Sequence, residues 1–478
     1  MGSNNSPRET DVVVLGGGPV GENAAGRTAA EGLHTTLVEH ELLGGECSYW
    51  ACMPSKALLR PGEALAAARQ LGGAISGGEL DVAAVLARRD SFTSNWDDSS
   101  QVEWVEGAGV DFVRGHGRLV GERAVEVTGP AGTVRISARH AVIVATGSTP
   151  VEPPVDGLAD LTHWGSREAT SAHKIPPSLA VLGGGVVGVE MAQAYANLGS
   201  QVVLVAGAGL LARAESFAGE LVADSLREQG VTVHVGPQAK QAQQTPDGVR
   251  LTLDDGTTVD AATLLVATGR RPATADIGVE TVGLTPGEPL AIDDQGVVDK
   301  VRDNDGAGWL YAVGDVNGRA PLTHQGKHQA RIAGSVVVAR SRGELPADPP
   351  PWSKFSLAAD HAAVPQVVFT DPQVAWVGRT AKQATEAGLS TRVVDLDIAV
   401  AGSSVHRDGY TGKARFVVDT DRGVLVGVTF VGPDVAELLH SATIAVVGEV
   451  PLDRLWHAVP SFPTISEVWL RFLEQYGL

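Results

Sequence analysis

A short β-branched run, Asp11–Leu15 (DVVVL), leads without interruption into Gly16-Gly17-Gly18-Pro19-Val20-Gly21. The same grammar returns at Leu179–Leu182, followed by Gly183-Gly184-Gly185-Val186-Val187-Gly188. Each glycine run opens an apolar helical stretch, through Leu33 and Leu198, and then a second β run, Thr35–Val38 and Gln201–Val205. Strand, glycine turn, helix, strand is a βαβ unit of about 30 residues that carries a dinucleotide at its turn. The first glycine permits the tight turn, the second lets the backbone approach a pyrophosphate, and the third lets helix and strand pack closely. The helix N-terminus then offers free N–H groups to the phosphate. One match alone is weak. Two matches, each with a strand before and a helix after, predict two dinucleotide-binding folds in one chain.

The two turns are not equivalent in what they bind. The first unit ends in Glu39, 18 residues beyond Gly21, a carboxylate suited to ribose hydroxyls. The second ends in Ala206, 18 residues beyond Gly188, with no acid to meet a 2′-OH, while Arg213 follows seven residues later. The choice between NADH and NADPH stays open at this point, leaning to NADPH if Arg213 meets a 2′-phosphate and is not simply a surface residue.

The chain has only two cysteines, Cys47 and Cys52, directly after the first βαβ unit. On one helix this spacing would set the sulfurs about a turn apart, within reach of a disulfide after modest adjustment. Zinc is the weaker alternative, because no second Cys/His pair lies at finger spacing, and no metal site is expected. Lys56, four residues after Cys52, shares its helical face and would stabilise a thiolate or a reduced flavin anion.

Composition narrows the partners. The net charge is −19, and 8 Lys stand against 29 Arg, which argues against nucleic-acid binding. No apolar run reaches the ~18 residues of a membrane span. The opening MGSNNSPRETD lacks an apolar signal region, so a cytoplasmic location is expected. The 58 glycines among 478 residues exceed the ~7% usual for soluble proteins without any collagen period, and so point to tight turns and ligand approaches.

Between and after the glycine units, Gly115–Val127 alternates like antiparallel strands. Ala141–Pro150 (AVIVATGSTP) and Ala262–Pro272 (ATLLVATGRRP) read as strands ending in turns, and Trp309–Asp315 as another. Gly343–Trp352 is a Pro-rich linker, and beyond it the strands Gln366–Phe369, Lys413–Val418 and Gly423–Val431 precede a helix over Asp434–Val447.

Together these motifs resemble the pyridine nucleotide–disulfide oxidoreductases, the family of dihydrolipoamide dehydrogenase, glutathione reductase and mercuric reductase. The likeness rests on both glycine fingerprints, Cys47-x-x-x-x-Cys52-x-Pro54-Ser55-Lys56, and Ala145-Thr146-Gly147. It continues through Ala267-Thr268-Gly269 with the GRRP that starts at Gly269, Gly314-Asp315 and Val431-Gly432-Pro433. It implies an α/β fold with two Rossmann-like domains and a C-terminal α+β dimerisation domain. The FAD domain is expected over 1–155 and 280–350, the NAD(P) domain over 156–279, and the interface domain over 351–478. FAD would lie on Gly16, Gly18, Gly21 and Gly45, with Glu39 at its ribose, His116 and Gly117 near the adenine, and Thr146 and Gly147 in the adjoining turn. Asp315 would meet the ribityl or phosphate region, and Leu322-Thr323-His324 would start a helix aimed at the flavin. The pyridine nucleotide would lie on Gly183, Gly185, Gly188 and Gly269. Lys56 and Glu190 resemble the ion pair beside flavin N5. The implied activity is NAD(P)H-dependent reduction of a low-molecular-weight disulfide, with Cys52 facing the flavin, Cys47 exchanging with substrate, and a homodimer sharing each active site.

The pattern breaks near its end. The family's His-Pro-Thr-x-Ser-Glu segment, donated across the dimer, reads Phe462-Pro463-Thr464-Ile465-Ser466-Glu467 here. An imidazole worth about 10²–10⁴-fold in proton transfer is replaced by a phenyl ring. Three accounts follow: a substrate whose leaving thiolate needs little protonation, His457 reaching the site instead, or a kinship with 2-ketopropyl coenzyme M oxidoreductase/carboxylase, which also carries Phe but lacks the glutamate. Glu46 before Cys47 would raise a thiol pKa. Tyr49 and Trp50 between the cysteines either stack on a flat substrate or pack beneath the helix. The rival activities are an NAD(P)H:quinone or diaphorase-type reductase, a dihydrolipoamide dehydrogenase-like subunit, and a non-catalytic flavoprotein.

Overall fold

The computed structural model describes residues 8–75, 77–303 and 306–478. The chain divides into two compact units, each gathered from three stretches. The first takes in the described residues up to Met53 with Asp90–Val151 and Arg270–His361. The second takes in Pro54–Arg89, Glu152–Gly269 and Ala362–Leu478.

In the first unit, β1 (Arg8–Leu15), α1 (Pro19–Ala30) and β2 (Thr35–Glu39) form the expected βαβ unit, with β1 and β2 paired in parallel from Val12 opposite Thr35 to Leu15 opposite Val38. Val12, Val13, Val14 and Leu15 are buried on both faces, which is why this strand reads as an unbroken apolar run. Strand Asp111–Arg114 extends the parallel sheet beyond β2, and Gly132–Val144 and Leu310–Ala312 extend it on the other side. Strands His116–Leu119 and Ala124–Gly129 add antiparallel pairs. Helix Thr323–Ser341 packs along α1, where Arg27 Nε donates to Ser335 Oγ at 3.1 Å and Arg331 Nη1 to Asn23 Oδ1 at 3.4 Å.

The second unit repeats the plan. Strand Ser178–Leu182, helix Val186–Asn197 and strand Gln201–Ala206 form a second βαβ, flanked in parallel by Thr232–Val235 and Thr263–Val266. A five-stranded antiparallel sheet follows, ordered Pro365–Val368, Gln373–Gly378, Val424–Gly432, Lys413–Asp419, Thr391–Asp397. Its core holds Phe416 stacked on Phe472 with ring centroids 4.1 Å apart.

The expectation of one helix carrying both cysteines is corrected. Cys47 lies in α2 (Gly45–Tyr49), and Cys52 opens a separate helix, α3 (Cys52–Arg69). Pro54 is the cause: without an N–H it cannot bond the Trp50 carbonyl inside a continuous helix, but it fits the first turn of a new one.

Candidate active site

The two glycine turns match in detail. A Cβ on Gly16 would strike the Ala145 carbonyl oxygen, and one on Gly183 would strike that of Ala267. A Cβ on Gly21 would run into the Gly16 oxygen, and one on Gly188 into that of Gly183. These glycines are required by the fold itself, with Gly16 at φ +100° and Gly183 at φ +123°. The middle glycines differ. A Cβ on Gly18 would find no atom nearer than the Gly45 Cα at 4.0 Å, and one on Gly185 would find none within 4 Å. Both cap their helices without a side-chain partner. The open space lies where a pyrophosphate approaches, so each turn fits a dinucleotide.

Beyond the turns the two units differ in the residue that ends the second strand. The Glu39 carboxylate accepts the Gly17 N–H at 2.7 Å and the Glu41 N–H at 2.8 Å, and His40 Nδ1 lies 3.0 Å away. Burial opposes its ionisation, but the His40 contact and the two amides outweigh it and hold its pKa below the usual carboxylate value. Ala206 takes the corresponding place in the second unit, its Cβ under Gly184 as the Glu39 Cβ lies under Gly17. Arg213 is exposed in the loop that follows.

The adenine-side residues also have positions. His116 Nε2 bonds the Asp276 carbonyl at 2.8 Å, and its ring meets His40 edge-on at 6.0 Å. Burial, then His40 and Arg118, lower its pKa. Gly117 packs against Leu15 and Val38. Thr146 Oγ1 donates to the Ala273 carbonyl at 2.9 Å, and Gly147 adopts φ +74°. In the second unit Gly269 is exposed, with φ +138°. Ser148 Oγ donates to Asp315 Oδ2 at 2.6 Å and accepts from Arg270 Nε at 2.8 Å. Arg270 also lies 3.9 Å from Glu46. This Arg270–Ser148–Asp315 chain was not singled out by sequence, although its arginine is the first of the GRRP run.

The Gly44–Gly45 turn, at φ +104° and +54°, sets the redox segment against the first loop, since a Cβ on Gly45 would reach the Gly18 Cα at 2.8 Å. The Cys47 and Cys52 thiols are in hydrogen-bonding contact, and Cys52 Sγ lies 3.3 Å from Thr323 Oγ1. Leu322 caps the helix that Thr323 begins, and His324 on its first turn is exposed. The Cys52 contact, then burial, pushes the Cys47 thiol well up, so the pair ionises one sulfur at a time. The neighbouring sulfur, rather than Glu46, leads this shift. Tyr49 is 1% exposed and packs beneath the segment, its carbonyl accepting from Trp96 Nε1 at 3.2 Å, so Tyr49 is not a stacking surface. Trp50 is half-buried.

Lys56 stands one turn after Cys52 on α3. Its Nζ donates to Glu190 Oε2 at 2.7 Å and lies 4.9 Å from the centre of the Phe369 ring. Glu190 is 2% exposed, and its other oxygen accepts the Phe369 N–H at 3.0 Å. Phe369, which sequence reading passed over as a strand end, thus supports the pair from both sides. Phe462 is 75% exposed, and His457 is exposed as well. Glu467 is buried, 3.6 Å from Arg471, with Oε2 making no hydrogen bond. Among the described residues no cluster of His, Cys, Asp and Glu could hold a metal ion, and no helix is long and apolar enough to cross a membrane.

Comparisons with known proteins give the chain's family. The family model for pyridine nucleotide-disulphide oxidoreductases matches residues 10–343, and that family's dimerisation domain matches residues 364–471. The chain is 30% identical to a dihydrolipoyl dehydrogenase of Bacillus subtilis over 98% of its length and 96% of that protein's. It is 31% identical to a mercuric reductase of Streptomyces lividans, over 94% and 92% of the two chains. In structure it resembles the HOCl-induced flavoprotein disulfide reductase RclA of Escherichia coli, with a TM-score of 0.82, 23% identity, and coverage of 98% and 99%.

Proposed function

Because this chain belongs to the pyridine nucleotide-disulphide oxidoreductase family, and is an oxidoreductase working with FAD and a pyridine nucleotide, we propose that it reduces a low-molecular-weight disulfide through Cys47 and Cys52. The carrying observation is the sulfur couple itself: two thiols in mutual contact, Cys52 against Thr323, beside the first glycine turn. Gly16, Gly18, Gly21 and Gly45 would hold FAD at its phosphates and Glu39 at its ribose, and the bound flavin would supply two-electron redox chemistry. The chain's residues divide the remaining work. Lys56 and Glu190 form the fixed ion pair that the family resemblance assigns to the flavin's N5 side. Cys52 keeps its thiolate against Thr323. Cys47 attacks the substrate disulfide, and Cys52 then closes on Cys47, releasing the second thiol.

Ser in place of Cys47 is expected to abolish disulfide reduction while leaving flavin reduction by NAD(P)H intact. In anaerobic dithionite titration the parent takes up four electrons per chain. Uptake of two, with full diaphorase turnover, would instead establish the quinone-reductase reading, in which the flavin reduces the acceptor directly.

The absence of an acid at Ala206 favours NADPH, with Arg213 at the 2′-phosphate. Arg213→Ala should raise the KM for NADPH about tenfold and leave that for NADH unchanged. Equal effects on both nucleotides would remove Arg213 from the site.

We also assign a homodimer in which Phe462 and Glu467 of the partner subunit complete each site. Its support is the exposed apolar set Val405, Ile444, Val447, Val459 and Phe462 within the region matched as a dimerisation domain. With phenyl in place of imidazole, the substrate is one whose leaving thiolate needs no protonation. That separates this activity from dihydrolipoamide oxidation.

A further inference from the structure

The first turns of α1 and of helix Thr323–Ser341 lie side by side. A Cβ on Gly326 would meet Val20 Cγ2 at 2.6 Å, and the Asn23–Arg331 and Arg27–Ser335 contacts continue the same register. That register sets Lys327, half-buried and one turn beyond Thr323, level with the first turn of α1. Glu22 lies on that turn, with Oε1 buried and making no hydrogen bond. Thr323 itself touches the sulfur couple. Lys327 therefore shares a helical face with Thr323, which touches the sulfur couple, and its helix packs on the turn that carries Glu22. Its charge acts on both neighbours, favouring ionisation of Glu22 and of Cys47 alike.

We propose that Lys327 is a positioning residue for the sulfur couple, its ammonium, opposed by the Glu22 carboxyl group, supplying the positive charge that stabilises the Cys47 thiolate where the family's imidazole is missing. The inference rests on the disulfide-reductase reading. In that reaction the Cys47 thiolate attacks the substrate disulfide, the substrate S–S bond breaks, a Cys47–substrate disulfide forms, and one thiolate leaves. The Cys52 thiolate then attacks the Cys47 sulfur, the second thiolate leaves, and the Cys47–Cys52 disulfide is restored. Two electrons pass from the dithiol to the substrate. The two protons lost from the cysteines pass to solvent, and the leaving groups depart as thiolates. A fixed cation lowers the cost of the first ionisation without taking part in proton transfer.

Cys47 faces Cys52, Thr323 and Lys327, and its chain neighbour Glu46 lies 3.9 Å from Arg270. Glu22 faces Lys327 and Glu39, and acts in turn on Tyr49. On the lysine's own helix His324 is exposed, and His328 is half-buried, with its pKa lowered by burial ahead of the opposing Asp360 and the added Arg331 charge. The two variants therefore pull in opposite directions. Removing Lys327 withdraws the stabilising charge, and neutralising Glu22 frees that charge to act on the thiol alone.

The test uses the FAD-loaded full chain with Cys52→Ser, so that Cys47 is its one thiol, and follows iodoacetamide alkylation of Cys47 by mass spectrometry from pH 6 to 10. Lys327→Met should move the alkylation midpoint up by at least about half a pH unit, roughly threefold slower below it. Lys327→Arg should restore the parent midpoint, and Glu22→Gln should move it down. Matching midpoints for K327M and the parent would overturn the proposal. So would a Glu22→Gln shift in the same direction as K327M, the mark of general structural damage. The underlying reading fails separately, if NADPH does not increase Cys47 alkylation in the chain that retains both cysteines.

Discussion

At the scale of single residues, Glu22 is the group least expected inside an Ala-rich helix. Burial, partly offset by Lys327, pushes its pKa from 4.5 up to about 7. The folded chain therefore keeps a proton that the unfolded chain has lost over that interval. Its stability must fall as pH rises from 4.5 through 7, and the loss is complete above 7. Glu22→Gln removes the penalty. The FAD-free variant should be more stable than the parent at pH 8 by on the order of 3 kcal/mol, and equal to it at pH 4, by denaturant unfolding at the two values. An equal difference at both pH values would assign the gain to packing. Glu39, the more deeply buried of the two, shows why burial alone does not set such behaviour. Two backbone amides and His40 take up its oxygens and hold it ionised. Sequence spacing marked Glu39 as the acid that ends the first fold. It could not mark Glu22 or Lys327, because their meeting depends on how two helices 300 residues apart come into register. A charged residue directly after the third glycine was the signal on offer.

At the scale of elements, the βαβ units were legible because periodicity and glycine chemistry act over short stretches. Strands that are buried on both faces read as apolar runs, and turns that need positive φ read as glycine. Helix α3 was misread because the eye follows the Cys spacing, whereas the missing N–H of Pro54 decides where the helix restarts. Strands Gln373–Gly378 and Thr391–Asp397 also escaped. The first is enclosed along its length and opens with a buried Gln, and the second alternates with charge on its exposed side. The glycines within one turn can be separated by experiment. Gly21→Ala drives a methyl group into the Gly16 carbonyl and should cost about 1–3 kcal/mol or prevent folding. Gly18→Ala meets nothing in the chain, so the FAD-free protein should keep its Tm while FAD affinity falls by about tenfold or more. Comparable loss of Tm in both would mean that the middle glycine serves the fold and not a ligand.

At the scale of the whole molecule, the four most exposed large apolar side chains among the described residues lie in one stretch of sequence. Val405 is 70% exposed, Ile444 57%, Val459 83% and Phe462 75%, all within residues 364–471. Isolated exposed apolar residues need no explanation, but a concentration of large ones in one domain costs solubility unless another surface covers it. A second copy of the chain is the simplest cover, since a two-fold interface presents the same patch from both sides. Burying an Asp carboxylate there without a partner costs several kcal/mol per copy, and two-fold symmetry doubles the effect. Ile444→Asp combined with Val459→Asp should therefore convert a dimer to a monomer in sedimentation at micromolar concentration. Each chain keeps its own glycine turns, Glu39, Lys56 and Glu190, so the monomer should still bind FAD and oxidise NAD(P)H with an artificial acceptor. On the proposed sharing of each site across the dimer, it should lose disulfide reduction by about tenfold or more, because the partner subunit's Phe462 would no longer complete the site. Full disulfide reductase activity in a sedimenting monomer would mean that a single chain builds the entire site.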